Sequence, residues 1–440
     1  MPSAVRLTPS HAFWYNMAVM EKFKTQLYEE SQAMQFELDS RGGREFSLKK
    51  RSGILTRKCD GNWNSQAIET SSREEAAKAL SWKNGSRLKL APFDLPTDAG
   101  EIIDANGFLT GFLQRLDLLE WRLLFRARHC RRLIRNTHRQ DVQSAFSQFS
   151  VAARLRCRDQ AEELEISEGS SEGLGFNLDG LARRITEALE NRKNRREIDF
   201  RGQVPIVLQA GEGAILFHEI LGHALEADYV HQKVSPFTPA DLGRRIVPES
   251  ITILCRDASD PFFRHAEVDD EGEACPSPLL VERGVLRRFI SDYAYQRILR
   301  LKDRGHCRLE DFSCIPQPRM FATYVQPGHV PASEIIASTP RGIYAREFGD
   351  GGLDFRSGQF YFCIRQSYLI EKGRLAAPLG SLTVRGHIRE ILNDIGMVGD
   401  DFKYDRGTSY CQKNGQVLPV RVGQPTIRIE KLWVNGGSSA

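Results

Sequence analysis

The chain has 440 residues, 41% of them hydrophobic and 27% charged, a balance that excludes disordered and fibrous classes and allows two or three domains. Its 61 basic and 57 acidic residues leave a formal charge of only +4, so the average surface lacks the basic density that nucleic-acid binding needs. No run of about 18 apolar residues is present to span a bilayer, and Met1 to Met20 lacks the continuous apolar centre of a signal peptide. A cytoplasmic protein is expected. Nine cysteines, an odd number with no CxxC pair, argue against a disulfide framework or a zinc ribbon.

The N-terminal part reads as mixed α and β. Arg41-Gly42-Gly43-Arg44 separates two extended pieces and predicts a hairpin. Ser72-Arg73-Glu74-Glu75 has the form of a capping box ahead of Ala76, Ala77, Ala79 and Leu80, predicting a helix start. Between Trp121 and Arg135 stand Arg122, Arg126, Arg128, Arg131, Arg132 and Arg135. We read them as the solvated face of sheet strands, with an anionic-ligand or nucleic-acid patch as the alternative. Phe149, Val151, Ala153, Leu155 and Cys157 alternate with Ser150, Ala152, Arg154, Arg156 and Arg158, a period of two with one dry and one wet face. Gly169 to Gly175 is a Gly/Ser loop, read as a connector that could touch a ligand. Leu178, Leu181, Ala182, Ile185, Ala188 and Leu189 share one helical face, and the charged run Asn191 to Glu197 marks the main boundary.

From Val204 the texture changes. Val204 to Leu208 predicts a short buried strand, followed by the turn Gly211-Glu212-Gly213 and an apolar helix. Beyond residue 250 come short apolar runs bounded by Gly, Pro and Asp, with Arg283-Gly284 and Lys372-Gly373 as hairpin turns. The expected fold class is α+β. Residues 1–100 form an N-terminal α/β segment, 101–200 a central sheet-helix segment, and 201–440 a mainly β domain carrying a distorted metal-binding helix.

The chemistry concentrates in His218-Glu219-Ile220-Leu221-Gly222-His223. Two neutral imidazoles can bind zinc, and the carboxylate of Glu219 can act as a base toward a water held by the metal. In the familiar zinc-protease pattern the histidines are four apart; here they are five apart. At 3.6 residues per turn five steps leave the rings about 140° apart, so a regular α-helix cannot close the site. A single π-turn, or a break at Gly222, would bring them back to one side. The helix is therefore expected to be distorted between His218 and His223. Asp269, Asp270 and Glu271 form an acidic turn, read as solvated, with cleft lining or capture of a peptide amine as the alternative. His231, His265 and His387 are spare ligand candidates.

The HExxxH motif followed by Ala224-Leu225-Glu226-Ala227-Asp228 resembles the TldD/PmbA family. So do Val268-Asp269-Asp270-Glu271-Gly272, Pro318-Arg319-Met320, Gly342-Ile343-Tyr344, Met397-Val398-Gly399 and Val422-Gly423-Gln424-Pro425-Thr426, in the family's order over roughly residues 204–437. The family's Glu-Gly-Asp is Glu226-Ala227-Asp228 here, and the first 200 residues match only loosely. The resemblance implies a zinc-dependent peptidase of the TldD type, with Cys411 joining His218 and His223 around Zn2+ and Glu219 as base. It implies unfolded or extended peptides as substrates, including precursors of modified peptides, and a dimer with itself or with a TldE-like chain. No membrane or nucleic-acid partner is expected. The competing readings are a non-catalytic subunit of a peptide-processing dimer and a nucleic-acid or topoisomerase-associated regulator.

Overall fold

The computed structural model describes residues 5–6, 23–59, 63–70, 99–137, 142–158, 163–171, 173–197, 201–255, 260, 262, 268–275 and 277–436. The expected helix start at 72–75 lies outside them, as does His265. None of the described helices is long and apolar enough to cross a membrane.

The first half is one antiparallel sheet of β1 (Val5–Arg6), β2 (Phe23–Asp39), β3 (Arg44–Cys59), β4 (Trp63–Glu69), β5 (Glu120–Asn136), β6 (Val142–Arg156) and β7 (Leu164–Ser170). Its order is β1-β4-β3-β2-β5-β6-β7, so the pairing of β2 with β5 joins segments on either side of residue 100. The hairpin expected at Arg41–Arg44 connects β2 to β3. Two helices, α1 (Ala99–Gln114) and α2 (Leu178–Asn194), cover one face. Alternation decides which residues meet them: Phe36, Leu123, Phe125, Phe149, Val151 and Leu155 pack against Ile102, Leu109, Leu181 and Ile185. Asn177 caps α2 by accepting from Gly180 N, and Arg192 and Lys193 oppose the dipole at its other end.

The second half opens with β8 (Arg201–Leu208) and the helical segment described below, then β9 (Ile253–Cys255), β10 (Leu279–Glu282) and β11 (Val285–Leu286). A small ladder of β12 (Cys307–Arg308) and β13 (Gln317–Pro318) precedes β14 (Ala322–Val325). Next come β15 (Arg341–Asp354), β16 (Gln359–Glu371), β17 (Arg374–Leu379), β18 (Leu382–His387) and β19 (Ile395–Val398). The last described strands are β20 (Lys403–Tyr404), β21 (Tyr410–Lys413), β22 (Gln416–Pro419), β23 (Arg421–Gln424) and β24 (Ile427–Gly436). Strands β15, β8, β24, β18 and β16 pair in turn, and β16 returns to β15, closing a barrel-like sheet. A second sheet runs β11-β10-β9-β14-β23-β20. Arg283-Gly284 and Lys372-Gly373 make the expected turns, all four residues having positive φ as a two-residue hairpin loop requires. The α+β class expected from the sequence describes this architecture.

Part of the other face of the N-terminal sheet is covered, and here two expectations are corrected in part. Arg132 is buried, pairing with Glu29 at 2.8 Å and Asp270 at 2.7 Å and donating to the carbonyls of Leu309 and Glu310. Arg128 reaches the Glu310 carbonyl and Arg131 pairs with Glu30. Arg128, Arg131 and Arg132 thus bind protein, while Arg122 and Arg126 are exposed as expected. The wet face expected on β6 is likewise partly covered, with Gln148 and Ser150 buried.

The acidic turn is buried as well. Asp269, Asp270 and Glu271 are 0%, 6% and 1% exposed, so they are neither a solvated turn nor a cleft lining. Asp269 accepts from the backbone N–H groups of Glu271, Glu273 and Cys307, which fixes the turn. Asp270 accepts from Leu309 N and pairs with Arg132, while Glu271 pairs with Arg57 at 2.6 Å. Charges this deep persist only when paired and hydrogen-bonded, so strands β3 and β5 and the 269–271 turn form one interdomain clamp. Removing one partner strands the other: Arg132→Ala is expected to lower unfolding free energy by about 3–5 kcal/mol. Equilibrium urea denaturation checks this, and a loss below about 1 kcal/mol, the scale of an exposed pair, would contradict the clamp.

Candidate metal centre

The segment after β8 changes helix type four times in twenty residues. Gly211, at φ +90°, turns the chain into a 3-10 turn (Glu212–Ala214) and one short α turn (Ile215–Phe217). A π turn then spans His218–Gly222, with His223 N–H donating to His218 O. A 3-10 turn (His223–Leu225) and a last helix (Ala227–His231) follow, separated by an extended Glu226. The distortion expected from the five-residue spacing is present, and it is the π turn. The two imidazole centroids lie 5.0 Å apart with planes at 81°. Gly222 does not break the helix: its φ is −55° and ψ −59°. A Cβ there would meet Met320 Sδ, so a larger residue must displace the Met320 side chain.

Cys411 reaches the same place from the far end of the chain. Strands β21 and β22 form a two-residue hairpin through Asn414 and Gly415, both at positive φ, with Cys411 facing inward. Its Sγ lies 3.1 Å from His223 Nε2. One ligand atom from each of His218, His223 and Cys411 falls within 4.8 Å of the others, and all three residues are buried. Both ring nitrogens of His218 lack a hydrogen-bond partner among the described residues. A buried imidazole in that state carries an unmet polar demand that a cation would satisfy. Two imidazoles and a thiol are also a donor set suited to zinc.

Groups behind the three donors hold them in place. Glu226, fully buried, meets His223 Nδ1 at 2.8 Å, leaving Nε2 directed at Cys411. Lys413 Nζ lies 2.8 Å from both Glu226 and Asp228, donates to Pro318 O, and sits 4.2 Å from the Tyr229 ring centroid. The completely buried Arg319 donates to Cys411 O at 2.6 Å. Burial opposes charge on His223, but Glu226 and Cys411 outweigh it and hold the ring protonated well above its usual range. Burial likewise opposes ionisation of the Cys411 thiol. The charge on His223 nevertheless holds it down at about 4. The two shifts favour a thiolate beside an imidazolium, and binding of a cation by these donors would release a proton.

Glu219 sits half-buried on the π turn beside His218, with no hydrogen bond or ion pair among the described residues. The two described spare histidines have other neighbours. His231 packs on Tyr295, and His387 Nδ1 accepts from Arg389 N to cap a short helix. A second buried group, Glu271, Asp292 and Cys307, also gathers within 4.8 Å. Arg57 already occupies it as the counter-charge of Glu271, so it belongs to the interdomain clamp.

Sequence reasoning assigned no role to Glu226, Asp228, Lys413 or Arg319. Glu226 follows His223 by three residues, within reach on a helix, and Asn414-Gly415 is a strong hairpin signal that would have drawn Cys411 and Lys413 onto one strand. Nothing local points to Arg319.

Two outcomes follow from this packing. Gly222→Ala forces Met320 aside and is expected to cost about 1–3 kcal/mol in thermal or urea unfolding; an unchanged midpoint would contradict the close approach. Although burial raises the carboxyl pKa of Glu226, Lys413 and His223 lower it further, to about 2 from 4.5. A depressed carboxylate stabilises the fold above its unfolded pKa and loses that contribution as pH falls through the folded value. Stability should fall between about 4.5 and about 2, and less steeply in Glu226→Gln. Identical acid titrations of the two proteins would contradict the assignment.

Known proteins resemble this chain, most of all over its second half. Residues 201–436 match the model of the PmbA/TldA metallopeptidase C-terminal domain. The chain is 34% identical over 278 residues to a metalloprotease TldD homolog of Buchnera aphidicola, covering 63% of this chain and 55% of that protein. It is 29% identical over 297 residues to a zinc metalloprotease TldD homolog of Saccharolobus solfataricus, covering 66% and 65%. The matches thus span about half to two thirds of the relatives' length. TldE from Thermococcus kodakarensis shares the fold, with a TM-score of 0.71 at 16% identity over 94% of this chain and 97% of that one. With its second half matched by that domain model and its whole fold shared with TldE, this chain belongs to the TldD/PmbA family.

Proposed function

We propose that this chain is a zinc-dependent peptidase of the HExxxH type acting on unfolded or extended peptides. The observation that carries the reading is the meeting of His218, His223 and Cys411 in one buried group, with Glu219 next to His218 on the π turn. His218, His223 and Cys411 would hold the metal, leaving one corner of a tetrahedral set for substrate or water. Bound there, zinc would supply a Lewis acid that polarises the scissile carbonyl and acidifies a water.

The remaining work falls to the protein. Glu219 takes the proton of the attacking water and returns it to the leaving amine. Glu226 keeps the His223 ring oriented, and Lys413 keeps Glu226 ionised behind it. An extended peptide can dock by adding to a sheet edge, and β20, the edge strand of its sheet among the described residues, leads directly into the segment carrying Cys411. The TldD-type family supports pairing with a second copy or a TldE-like chain, and TldE of Thermococcus kodakarensis has this fold. The cysteines from Cys130 to Cys411 are free thiols, as a cytoplasmic protein would have.

The rival readings find less support. A non-catalytic subunit would have no use for Glu219 and the two histidines. The regulator reading leaned on arginines of β5, and Arg128, Arg131 and Arg132 are engaged within the protein. Metal analysis should give one zinc per chain, and Glu219→Gln should keep that zinc while cleaving unstructured fluorogenic peptides about 10²–10⁴-fold more slowly. The assay is run alone and with a TldE-like chain. Undiminished cleavage by Glu219→Gln would remove the assigned base.

A further inference from the structure

The segment that delivers Cys411 is held from outside the matched peptidase domain. Residues 406–408 lie along the edge of β7, the last strand of the N-terminal sheet. Gly169 N–H donates to Arg406 O at 2.8 Å, the Gln148 amide donates to Gly407 O at 3.0 Å, and the hydroxyls of Ser167 and Thr408 meet at 3.1 Å. A Cβ on Gly169 would stand 2.5 Å from both the Arg406 and Gly407 carbonyl oxygens. These are backbone atoms and cannot swing aside like the tip of a side chain. The loop read from sequence as a connector therefore begins with a glycine whose missing side chain lets two backbones touch.

Little slack separates this contact from the thiol. An extended chain spans at most about 3.6 Å per residue, so the three steps from Thr408 to Cys411 reach about 11 Å. Within them Ser409 is tied to Asp405 at 2.6 Å, and Val420 N donates to Ser409 O across the hairpin. Moving residues 406–408 moves Cys411.

We infer that Gly169 and Gln148 are positioning residues for the metal centre: the N-terminal sheet sets where the Cys411 sulfur stands relative to His218 and His223. The inference rests on the proposed three-donor site and adds that the site is incomplete without the first half of the chain.

The test loads the full chain with cobalt(II), whose thiolate charge-transfer absorption reports sulfur in the coordination shell, and measures affinity against a chromophoric chelator. Gly169→Val is expected to weaken that band and lower cobalt affinity about 100-fold, and Gln148→Met about tenfold, the range for residues that orient metal ligands. Gln148→Met leaves the backbone approach intact and carries the test where Gly169→Val does not fold. Gly107→Ala, an exposed helix position with nothing near its Cβ, should change neither reading. A lowered melting temperature with band and affinity unchanged in both variants would overturn the positioning role alone. A wild-type protein whose spectrum matches that of Cys411→Ser would overturn the three-donor site, and this inference with it.

Discussion

The contact between His223 and Cys411 joins groups 188 positions apart in the chain, inside a core that excludes water. A buried thiolate facing a buried imidazolium is tolerable only if the surroundings complete its hydrogen bonding, because a half-satisfied polar network costs more than an apolar core. The surroundings do so in order. Glu226 stands behind His223, Lys413 bridges Glu226 and Asp228, and Arg319 holds the carbonyl of Cys411. Both ring nitrogens of His218 are left without a hydrogen-bond partner among the described residues, the demand that a cation would meet.

The same logic extends to the junction between the two halves. Arg57 and Arg132 on the N-terminal sheet would be expensive to bury without Glu271 and Asp270, and those carboxylates would be expensive to bury without the arginines. Asp269 and Asp270 also accept from Cys307 N and Leu309 N, flanking Arg308, whose guanidinium donates to the carbonyls of Met320 and Pro419. Met320 packs on Gly222 of the π turn, and Pro419 pairs with Tyr410 beside Cys411. A clamp that looks purely structural is thus two contacts away from the donors on both sides.

What could be read from residues alone was local. Periodicity identified α2, β8 and β6, and glycine turns identified three hairpins, because those signals depend on near neighbours in sequence. The five-residue histidine spacing required a distorted helix by geometry alone, and the π turn satisfies that requirement. Burial of charge was misjudged in both directions of the clamp. Arg132 and Glu271 each look solvated on their own strand or turn, and only the distant partner makes burial affordable. Of the two distortions open from sequence, the π turn is present and the break at Gly222 is not, and the close neighbour of Gly222, Met320, lies far along the chain. Cys411 could be singled out only through the family resemblance, for nothing in its immediate sequence distinguishes it from the other thiols.

Zinc K-edge X-ray absorption on the zinc-loaded wild-type chain addresses the donor set without reference to activity. Two nitrogen scatterers of imidazole type and one sulfur in the first shell are the expected result. A shell of nitrogen and oxygen alone, with no sulfur, would contradict it.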